Sequence, residues 1–283
     1  KALEAYQEAG EDPKALECIP MLKRSDIKRE AAKIINEELT VDDSLFLYHD
    51  VCTNGIGYVD LMFKTDSIAP EQIPYLGLLK SVLGYVDTEN YTYGELFNEI
   101  NANTGGINCG VEVFDRADST EEFQAMFSVR GKALYTKMDF LFKMIGEILN
   151  SSKLEDTKRL YEIVASVKSR AQVNLTGAGH STAVLRAAAY SSPMAAFQDE
   201  MAGIGYYQFI EKLEKDFEQR KEETVEELCK LMKKILRPEN FMISYTGERE
   251  SLETVQKLAG AVKAGLGTEP VEKSEEKLTC TKK

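Results

Sequence analysis

Alternating apolar and polar positions mark two extended segments in the first quarter of the chain. In the first, Phe46 and Tyr48 would point to one side of a strand. In the second, the residues that would share one side are Val59, Leu61 and Phe63. Asn54-Gly55 lies between the two segments and tolerates positive φ, which is the strongest short-range signal for a hairpin. The pattern therefore predicts a β-hairpin over residues 44–64 that starts a sheet.

Apolar residues spaced three to four apart predict helices after this hairpin, and further alternating segments predict more strands. The predicted strands are 107–114, 123–130 and 241–246. The predicted helices are 70–86, 92–104, 138–149, 155–175, 181–190, a short one opened by Pro193, a helical pair within 206–235, and 250–266. Near the start, residues 1–9 resemble the last turns of a helix, and a helix capped by Ser25-Asp26 is predicted to continue to Leu39.

A change of period at Thr104-Gly105-Gly106 marks one boundary sharply. The helical spacing stops there and a period of two follows, so we expect positive φ at Gly105 or Gly106 and a strand that begins at Ile107. The whole order is a strand pair, helices, a strand pair, helices, a strand and a helix. This order predicts an α+β fold of two layers, with one antiparallel or mixed sheet covered by helices on one side.

Composition and charge restrict the partners. The chain has 283 residues, 43% of them hydrophobic, and a net charge of −12. No basic stripe is present to neutralise phosphates, which argues against nucleic acid. A cationic peptide fits the sign of the charge, but a negative surface more often serves only solubility. No apolar run is long enough for a membrane span. The five cysteines are far apart and form no CxxC pair, so we expect a reducing compartment such as the bacterial cytoplasm or an organelle matrix.

The sequence contains no catalytic constellation. The histidines are His49 and His180, and neither HExxH nor the inverted HxxEH of zinc proteases is present. His49 is expected to be a hydrogen-bonded strand residue, and His180 to help start a helix. We therefore predict no catalytic residue and no metal ligand, and the substrate-binding residues stay unknown at this stage.

An ordered series of short strings resembles a known family. The strings are Leu22-Lys23-Arg24-Ser25-Asp26-Ile27, Thr53-Asn54-Gly55-Ile56-Gly57-Tyr58, Pro74-Tyr75-Leu76-Gly77-Leu78-Leu79, Thr104-Gly105-Gly106-Ile107, and Gly179-His180-Ser181 followed by Leu185-Arg186-Ala187-Ala188. Their order is similar to that in the third domain of the presequence-protease branch of the pitrilysin/insulinase zinc metalloproteases. The resemblance covers about residue 19 to the end.

The resemblance implies a particular organisation. Residues 1–18 would be the end of the helical linker between two enzyme halves, residues 19–267 a pitrilysin-type, mitochondrial-processing-peptidase-like α+β domain, and residues 268–283 a charged, frayed linker. The family encloses unfolded, often basic peptides in a chamber, with its zinc site in another domain. An acidic chamber wall would suit such peptides.

Two hypotheses follow from different classes of protein. The chain is a non-catalytic domain of a zinc-dependent peptidase, whose partners are the other domains of the same polypeptide and unfolded peptides. Alternatively, it is a stand-alone structural or peptide-binding protein of the same fold. The first residue, Lys1, lies inside a helical pattern, and from this we expect a fragment. Because HxxEH is missing, we expect the chain to be inactive alone, and Zn²⁺ is implied only for the catalytic domain of a longer protein.

Overall fold

The computed structural model describes residues 1–10, 13–31, 33–274, 276 and 278–281. These residues fall into two compact units, 1–35 and 36–283. In the first unit lie helices α1 (Ala2–Glu8) and α2 (Pro13–Leu16) and a 3-10 turn over Arg24–Asp26. Helix α1 ends before Gly10, whose φ is 66°, as predicted. The predicted helix up to Leu39 is wrong, because the turn at Arg24–Asp26 is not continued and strand β1 begins at Glu37.

The second unit contains a mixed sheet and a layer of helices. Its strands are β1 (Glu37–Val41), β2 (Ser44–Asp50), β3 (Ile56–Lys64), β4 (Ile107–Arg116), β5 (Ser119–Leu134) and β6 (Phe241–Gly247). Its helices are α3 (Ile73–Val82), α4 (Tyr93–Asn103), α5 (Met138–Ser151), α6 (Thr157–Gly177), α7 (Gly179–Ala188), α8 (Pro193–Ala202), α9 (Ile204–Lys215), α10 (Phe217–Ile235) and α11 (Leu252–Ala264).

The six-stranded sheet has the order β1-β2-β6-β3-β5-β4. Strands β2 and β6 run parallel, whereas β6 and β3, β3 and β5, and β5 and β4 run antiparallel. The predicted α+β class with a mixed sheet and helices is confirmed. No described helix is both long enough and apolar enough to cross a membrane.

The predicted hairpin over residues 44–64 is wrong in its pairing, although both strands exist. Strand β6 lies between β2 and β3, with Ile243 paired to Phe46 on one side and to Leu61 on the other. Asn54 and Gly55 do have positive φ, 53° and 80°, but they form a wider connection. The tight hairpin instead joins β1 to β2 through Asp42 and Asp43, whose φ angles are 47° and 65°. Two consecutive positive φ values match the twist of adjacent strands.

One face of the sheet is covered by helices and forms the core. The alternation predicted for β2 and β3 is confirmed: Phe46, Tyr48, Val59, Leu61 and Phe63 are all buried. In the middle of this face the rings of Tyr48 and Tyr245 stack with centroids 6.0 Å apart. Helix α5 lies so close to β5 that a Cβ at Gly131 would come within 2.6 Å of Leu141 Cδ1.

The boundary predicted at Thr104-Gly105-Gly106 is confirmed. Helix α4 starts in a capping box, in which Thr92 Oγ1 accepts from Glu95 N and the Glu95 carboxylate accepts from Thr92 N at 3.0 Å. It ends at Asn103, Gly106 has a φ of 104°, and β4 begins at Ile107. Glycine meets the steric requirement of that backbone angle.

The C-terminal segment differs from the expected frayed linker over 268–283. Among its described residues, Ser274 N donates to Ser67 O at 3.1 Å and Thr281 N donates to Ala189 O at 2.8 Å. The side chain of Leu278 packs against the core. These contacts hold Ser274, Leu278 and Thr281 against the domain, which the charged composition alone did not predict.

Candidate functional site

The second face of the sheet, here called the open face, has a different composition. It is formed by the residues that alternate with the core positions, among them Leu45, Leu47, His49, Tyr58, Asp60, Met62, Asn108, Glu112, Arg130, Lys132, Met242, Ser244 and Thr246. Several of these side chains are polar, and Leu45, Tyr58 and Arg130 are exposed. A sheet face with charged and aromatic side chains in contact with solvent is the most distinctive surface of this unit.

An ion cluster occupies the centre of the open face. Arg130 Nε lies 2.7 Å from Asp60 Oδ2, and Arg130 Nη1 lies 3.1 Å from Glu112 Oε1. The three residues come from adjacent strands, because Asp60 pairs with Arg130 in the β3–β5 ladder and β4 lies beyond β5. The side chain of Asp60 is only 17% exposed, whereas that of Arg130 is 52% exposed. The guanidinium therefore bridges a buried carboxylate and a more accessible one.

The electrostatics of Asp60 are unusual for a carboxylate with a cationic partner. Burial raises the pKa of Asp60, and the hydrogen bond from Arg130 only partly opposes this effect. Its Oδ1 atom is buried and accepts no hydrogen bond from the described residues. A carboxylate with one buried oxygen that lacks a donor lowers the stability of the folded state.

A shallow cavity of about 380 Å³ lies beside this cluster. Its walls include Tyr58, Asp60, Asn108, Arg130, Lys132, Ser244 and Thr246, with the backbone of Gly105 and Gly106 at one end. His49 Nε2 lies 3.2 Å from the Ser244 hydroxyl, which is consistent with the hydrogen-bonded strand histidine predicted. Donors, acceptors and one aromatic ring thus surround a space within the size range of small ligand sites.

The strands of the open face carry no excess of acidic side chains. Away from the tip of the β4–β5 hairpin, Glu38, Asp60 and Glu112 are balanced by Lys64, Arg130 and Lys132. The acidic wall expected from the net charge is therefore not found there. Carboxylates are concentrated at that hairpin tip instead, where Asp115, Asp118, Glu121 and Glu122 surround Arg116.

The zinc implied by the family resemblance has no ligand set in the part of the chain that the structure describes. His49 is on β2, His180 is in the first turn of α7, and no three His, Cys, Asp or Glu side chains of the described residues are grouped as a metal site. Cys109 lies on β4, and burial raises the pKa of its thiol to about 12. A thiol with this pKa is a poor nucleophile and a poor metal ligand at neutral pH.

The strings that carried the resemblance have structural roles. Glu248 accepts from Thr53 N at 3.0 Å and from Asn54 N at 3.1 Å, and its side chain also bonds Tyr135, so the 53–55 loop is held to the end of β6. Arg186 Nη1 lies 2.5 Å from Oδ2 of the fully buried Asp199 and thereby ties α7 to α8. These contacts maintain the fold, whereas Tyr58, Gly105 and Gly106 of the same strings line the cavity.

Sequence reasoning did not find the Asp60–Arg130–Glu112 cluster. A signal was present, because Asp60 and Arg130 are charged residues in otherwise apolar strands, and such residues are usually paired. Their pairing depends on the β3–β5 register, which spans 70 positions of sequence between the two residues. That register could not be read from local patterns.

The fold defines a class of protein: an α+β domain in which helices cover one face of a mixed six-stranded sheet. Residues 1–213 match the model of the family described as associated with peptidases of M16 subfamily C. The chain belongs to this family, and the resemblance seen in its sequence strings is confirmed.

Relatives and solved structures agree with this assignment. The chain is 36% identical over 253 residues to "Protein HypA" of Clostridium perfringens, covering 89% of this chain and 26% of that protein. It is 27% identical over 255 residues to "Presequence protease 1, chloroplastic/mitochondrial" of Arabidopsis thaliana, covering 90% and 24%. The chain thus spans about a quarter of the length of these relatives.

Two solved structures share the fold. A protease from Helicobacter pylori has a TM-score of 0.59 at 15% identity, with 87% of this chain and 54% of that one covered. A peptidase M16 inactive domain from Pseudomonas fluorescens has a TM-score of 0.54 at 14% identity, with 84% and 53% covered.

Proposed function

We propose that this chain is a non-catalytic domain of a zinc-dependent, presequence-protease-like peptidase that degrades unfolded peptides. In this role the open face is part of the wall that encloses the peptide, and zinc is held by another domain of the same polypeptide. The observation that carries the proposal is the cavity beside the Asp60–Arg130–Glu112 ion cluster on the open face of the sheet.

The chemistry of the open face suits an extended peptide. Backbone amides of a peptide can donate to the Ser244 and Thr246 hydroxyls, and the carbonyls of the peptide can accept from Asn108 and Lys132. Tyr58 and Leu45 offer exposed apolar area for peptide side chains. Because the open face carries both positive and negative side chains, it favours contact with the backbone of a peptide over selection of peptides by the charge of their side chains. The protein is further proposed to work in a reducing compartment, as its cysteine usage suggests.

Attraction of basic peptides is assigned to the hairpin tip rather than to the open face. Arg116 is already paired, with Asp118 at 3.0 Å and with Glu122 at 3.1 Å. Asp115 and Glu121 are exposed and form no ion pair with the described residues, so the tip keeps an excess negative charge. Exposed charges act mainly on the rate of encounter, and salt screens them over about 8 Å at physiological ionic strength.

A salt series tests this proposal in the polypeptide that joins this chain to its catalytic domain. The double variant Asp115→Asn/Glu121→Gln is expected to lower kcat/KM for a basic peptide roughly two- to fivefold at low salt, and less at high salt. A neutral peptide should be cut as before. Asp139→Asn/Glu155→Gln, which removes two exposed carboxylates from the helical layer, is the matched control. Equal loss for both peptides at every salt concentration would contradict electrostatic attraction by this tip.

The alternative, a stand-alone protein of the same fold, is separated from this proposal by the coding sequence outside the chain. An HxxEH string encoded in the same reading frame supports the proposed function. A complete reading frame that lacks any such string would leave only the structural or peptide-binding role.

A further inference from the structure

Strand β4 forms one edge of the sheet and is paired only to β5. It is ten residues long, from Ile107 to Arg116, and contains no proline. An unpaired strand edge accepts further strands. Proteins therefore usually keep edge strands short, place charged residues on them or cover them.

The ladder fixes which backbone groups point outward. In an antiparallel pair, the N–H and C=O groups of each residue point to the same side, and the side alternates along the strand. Thr65 N donates to Ala125 O, so the odd-numbered residues of β5 bond to β3 and the even-numbered ones bond to β4. By the β4–β5 register, even-numbered residues of β4 are bonded to β5. The residues that present N–H and C=O groups to the free edge are therefore Ile107, Cys109, Val111 and Val113.

These outward groups are not used within the part of the chain that the structure describes. No hydrogen bond joins the backbone N–H or C=O of these four residues to another described residue outside the strand ladder. Four alternate positions with unpaired backbone groups are the template for addition of a strand.

A cavity of about 580 Å³ lies along the first part of this edge. Its lining includes residues 106–112, which contain the first part of β4, and also Tyr85, Phe97 and Leu83. The cavity ends before Val113, so the free edge is partly inside it and partly outside. Its volume is within the range of about 300–1,000 Å³ that ligand sites occupy.

The cavity is locally positive in a chain whose net charge is −12. Lys80 and Arg170 line it, and neither forms a salt bridge or a hydrogen bond with the described residues. Glu112, the carboxylate in the same lining, is already bonded to Arg130 at 3.1 Å. Burial lowers the pKa of Lys80, and the charge of Glu112 only partly opposes this effect. An anionic group that enters the cavity would relieve this cost.

We propose that the free edge of β4 binds the extended C-terminal segment of a peptide by strand addition, with the terminal carboxylate held by Lys80 and Arg170. Ile107, Cys109 and Val111 supply the backbone hydrogen bonds, and the apolar wall takes every second side chain. The proposal extends the proposed function and rests on it for the nature of the ligand, since each peptide cleavage creates a new C-terminal carboxylate. The site adjoins the cluster on the open face, because Glu112 belongs to that cluster and also lines this cavity.

The test uses the 283-residue chain and a fluorescent pentapeptide of alternating threonine and valine with a free C-terminal carboxylate. Binding is followed by anisotropy. Val111→Pro removes one outward N–H without breaking the ladder to β5, and is expected to raise Kd at least tenfold. Val113→Pro, on the same edge but outside the cavity, is the matched control and should leave Kd within about twofold. Circular dichroism and thermal unfolding verify that both variants fold.

Recognition of the C-terminal carboxylate of the peptide is tested separately. Lys80→Gln should weaken binding of the free acid about tenfold and leave the C-terminal amide, which binds weakly, unaffected. Lys158→Gln, an exposed lysine on α6, is the control. Peptides N-methylated at alternate positions should fall into two sets, one that binds and one that does not, because only every second N–H faces the added strand.

Four results would overturn the inference. Equal binding by the Val111→Pro and Val113→Pro variants, or equal sensitivity to N-methylation at all positions, excludes strand addition. Equal affinity for an amidated peptide with a glutamate side chain excludes recognition of the C-terminus. Dimers of the wild type that Val111→Pro dissociates would show that a second copy covers the edge. If the hairpin-tip variants still reduce cleavage of basic peptides, the proposed function stands even when this inference fails.

Discussion

Asp60 is the residue at which stability and proposed function conflict. Its carboxylate has a guanidinium partner 2.7 Å away, yet burial still raises its pKa. The folded state therefore holds the proton more tightly than the unfolded chain, in which the pKa is near its ordinary value of 3.8. Stability is highest with Asp60 protonated and falls as pH rises from about 3.8 through the folded pKa.

The fall in stability with rising pH gives a prediction for Asp60→Asn. At pH 7 the variant should be more stable than the wild type, because it removes a buried charge and leaves Arg130 its bond to Glu112. The advantage should shrink as pH falls toward 3.8, where Asp60 becomes protonated in both states. Chemical denaturation between pH 4 and 7 measures it, with Asp43→Asn at an exposed turn as the control. A variant that is less stable than wild type at pH 7 would contradict this account of the site.

Asp199, unlike Asp60, is a buried carboxylate whose contacts are expected to stabilise the folded domain. It is fully buried, pairs with Arg186 at 2.5 Å, and accepts from Ile204 N at 3.0 Å and from Gly205 N at 3.2 Å. Asp199→Ala leaves a guanidinium and two amides without their acceptor, and should destabilise the domain by about 3–5 kcal/mol. Glu200→Ala, the neighbouring half-buried carboxylate, should change stability by less than about 1 kcal/mol. Similar denaturation midpoints for the two variants would refute the structural role of the Arg186–Asp199 pair.

At the residue scale, local sequence signals predicted backbone angles and burial better than they predicted which side chains form pairs. Positive φ in the Gly105-Gly106 pair and the buried positions of β2 and β3 followed from glycine and from period-two alternation. The partners of Arg186, Arg130 and Glu248 could not be predicted, because each depends on a packing or register that no local pattern contains. Arg186 belonged to a string that carried the family resemblance, but only the structure connects it to Asp199.

At the scale of elements, most helices and strands were predicted near their observed bounds, and the main errors concern pairing. Asn54-Gly55 indicated a hairpin, and its backbone angles are those of a tight turn. The partner of both β2 and β3 is nevertheless β6, whose Phe241 pairs with Phe63. Strand β1 was missed because Glu37 and Glu38 give it a polar start, and because its pairing with β2 sets its register. Pairing between distant segments depends on global packing, which sequence alternation does not encode.

The central position of β6 gives a prediction about domain limits. A fragment of residues 1–213, the extent of the family match, lacks α10, β6 and α11. It loses buried side chains that include Leu228, Leu231, Ile235, Ile243, Tyr245 and Val255. At about 1.5–3 kcal/mol for each, this loss is comparable with the entire stability of a domain, about 5–15 kcal/mol.

We therefore expect fragment 1–213 to show no cooperative unfolding transition, whereas fragment 1–267 should unfold cooperatively. Circular dichroism during urea denaturation compares the two. A cooperative transition of fragment 1–213 at a denaturant concentration close to that of the whole chain would mean that β6 is dispensable, contrary to its place in the sheet.

At the scale of the whole molecule, the charge of −12 did not predict where the carboxylates lie. The expected acidic wall is replaced by a balanced open face and an acidic hairpin tip. In the proposed function, zinc and peptide cleavage belong to other domains of a longer protein. The contribution proposed for this chain is contact with the peptide without chemistry.

One titration tests this central claim most directly. A basic, unfolded peptide with a fluorophore and a quencher at its ends is mixed with the purified 283-residue chain. Anisotropy reports binding, and dequenching reports cleavage in the same sample. The account predicts a saturable rise in anisotropy without dequenching, in the presence or absence of added zinc. Dequenching that a zinc chelator abolishes, or a flat anisotropy signal up to the highest protein concentration, would contradict it.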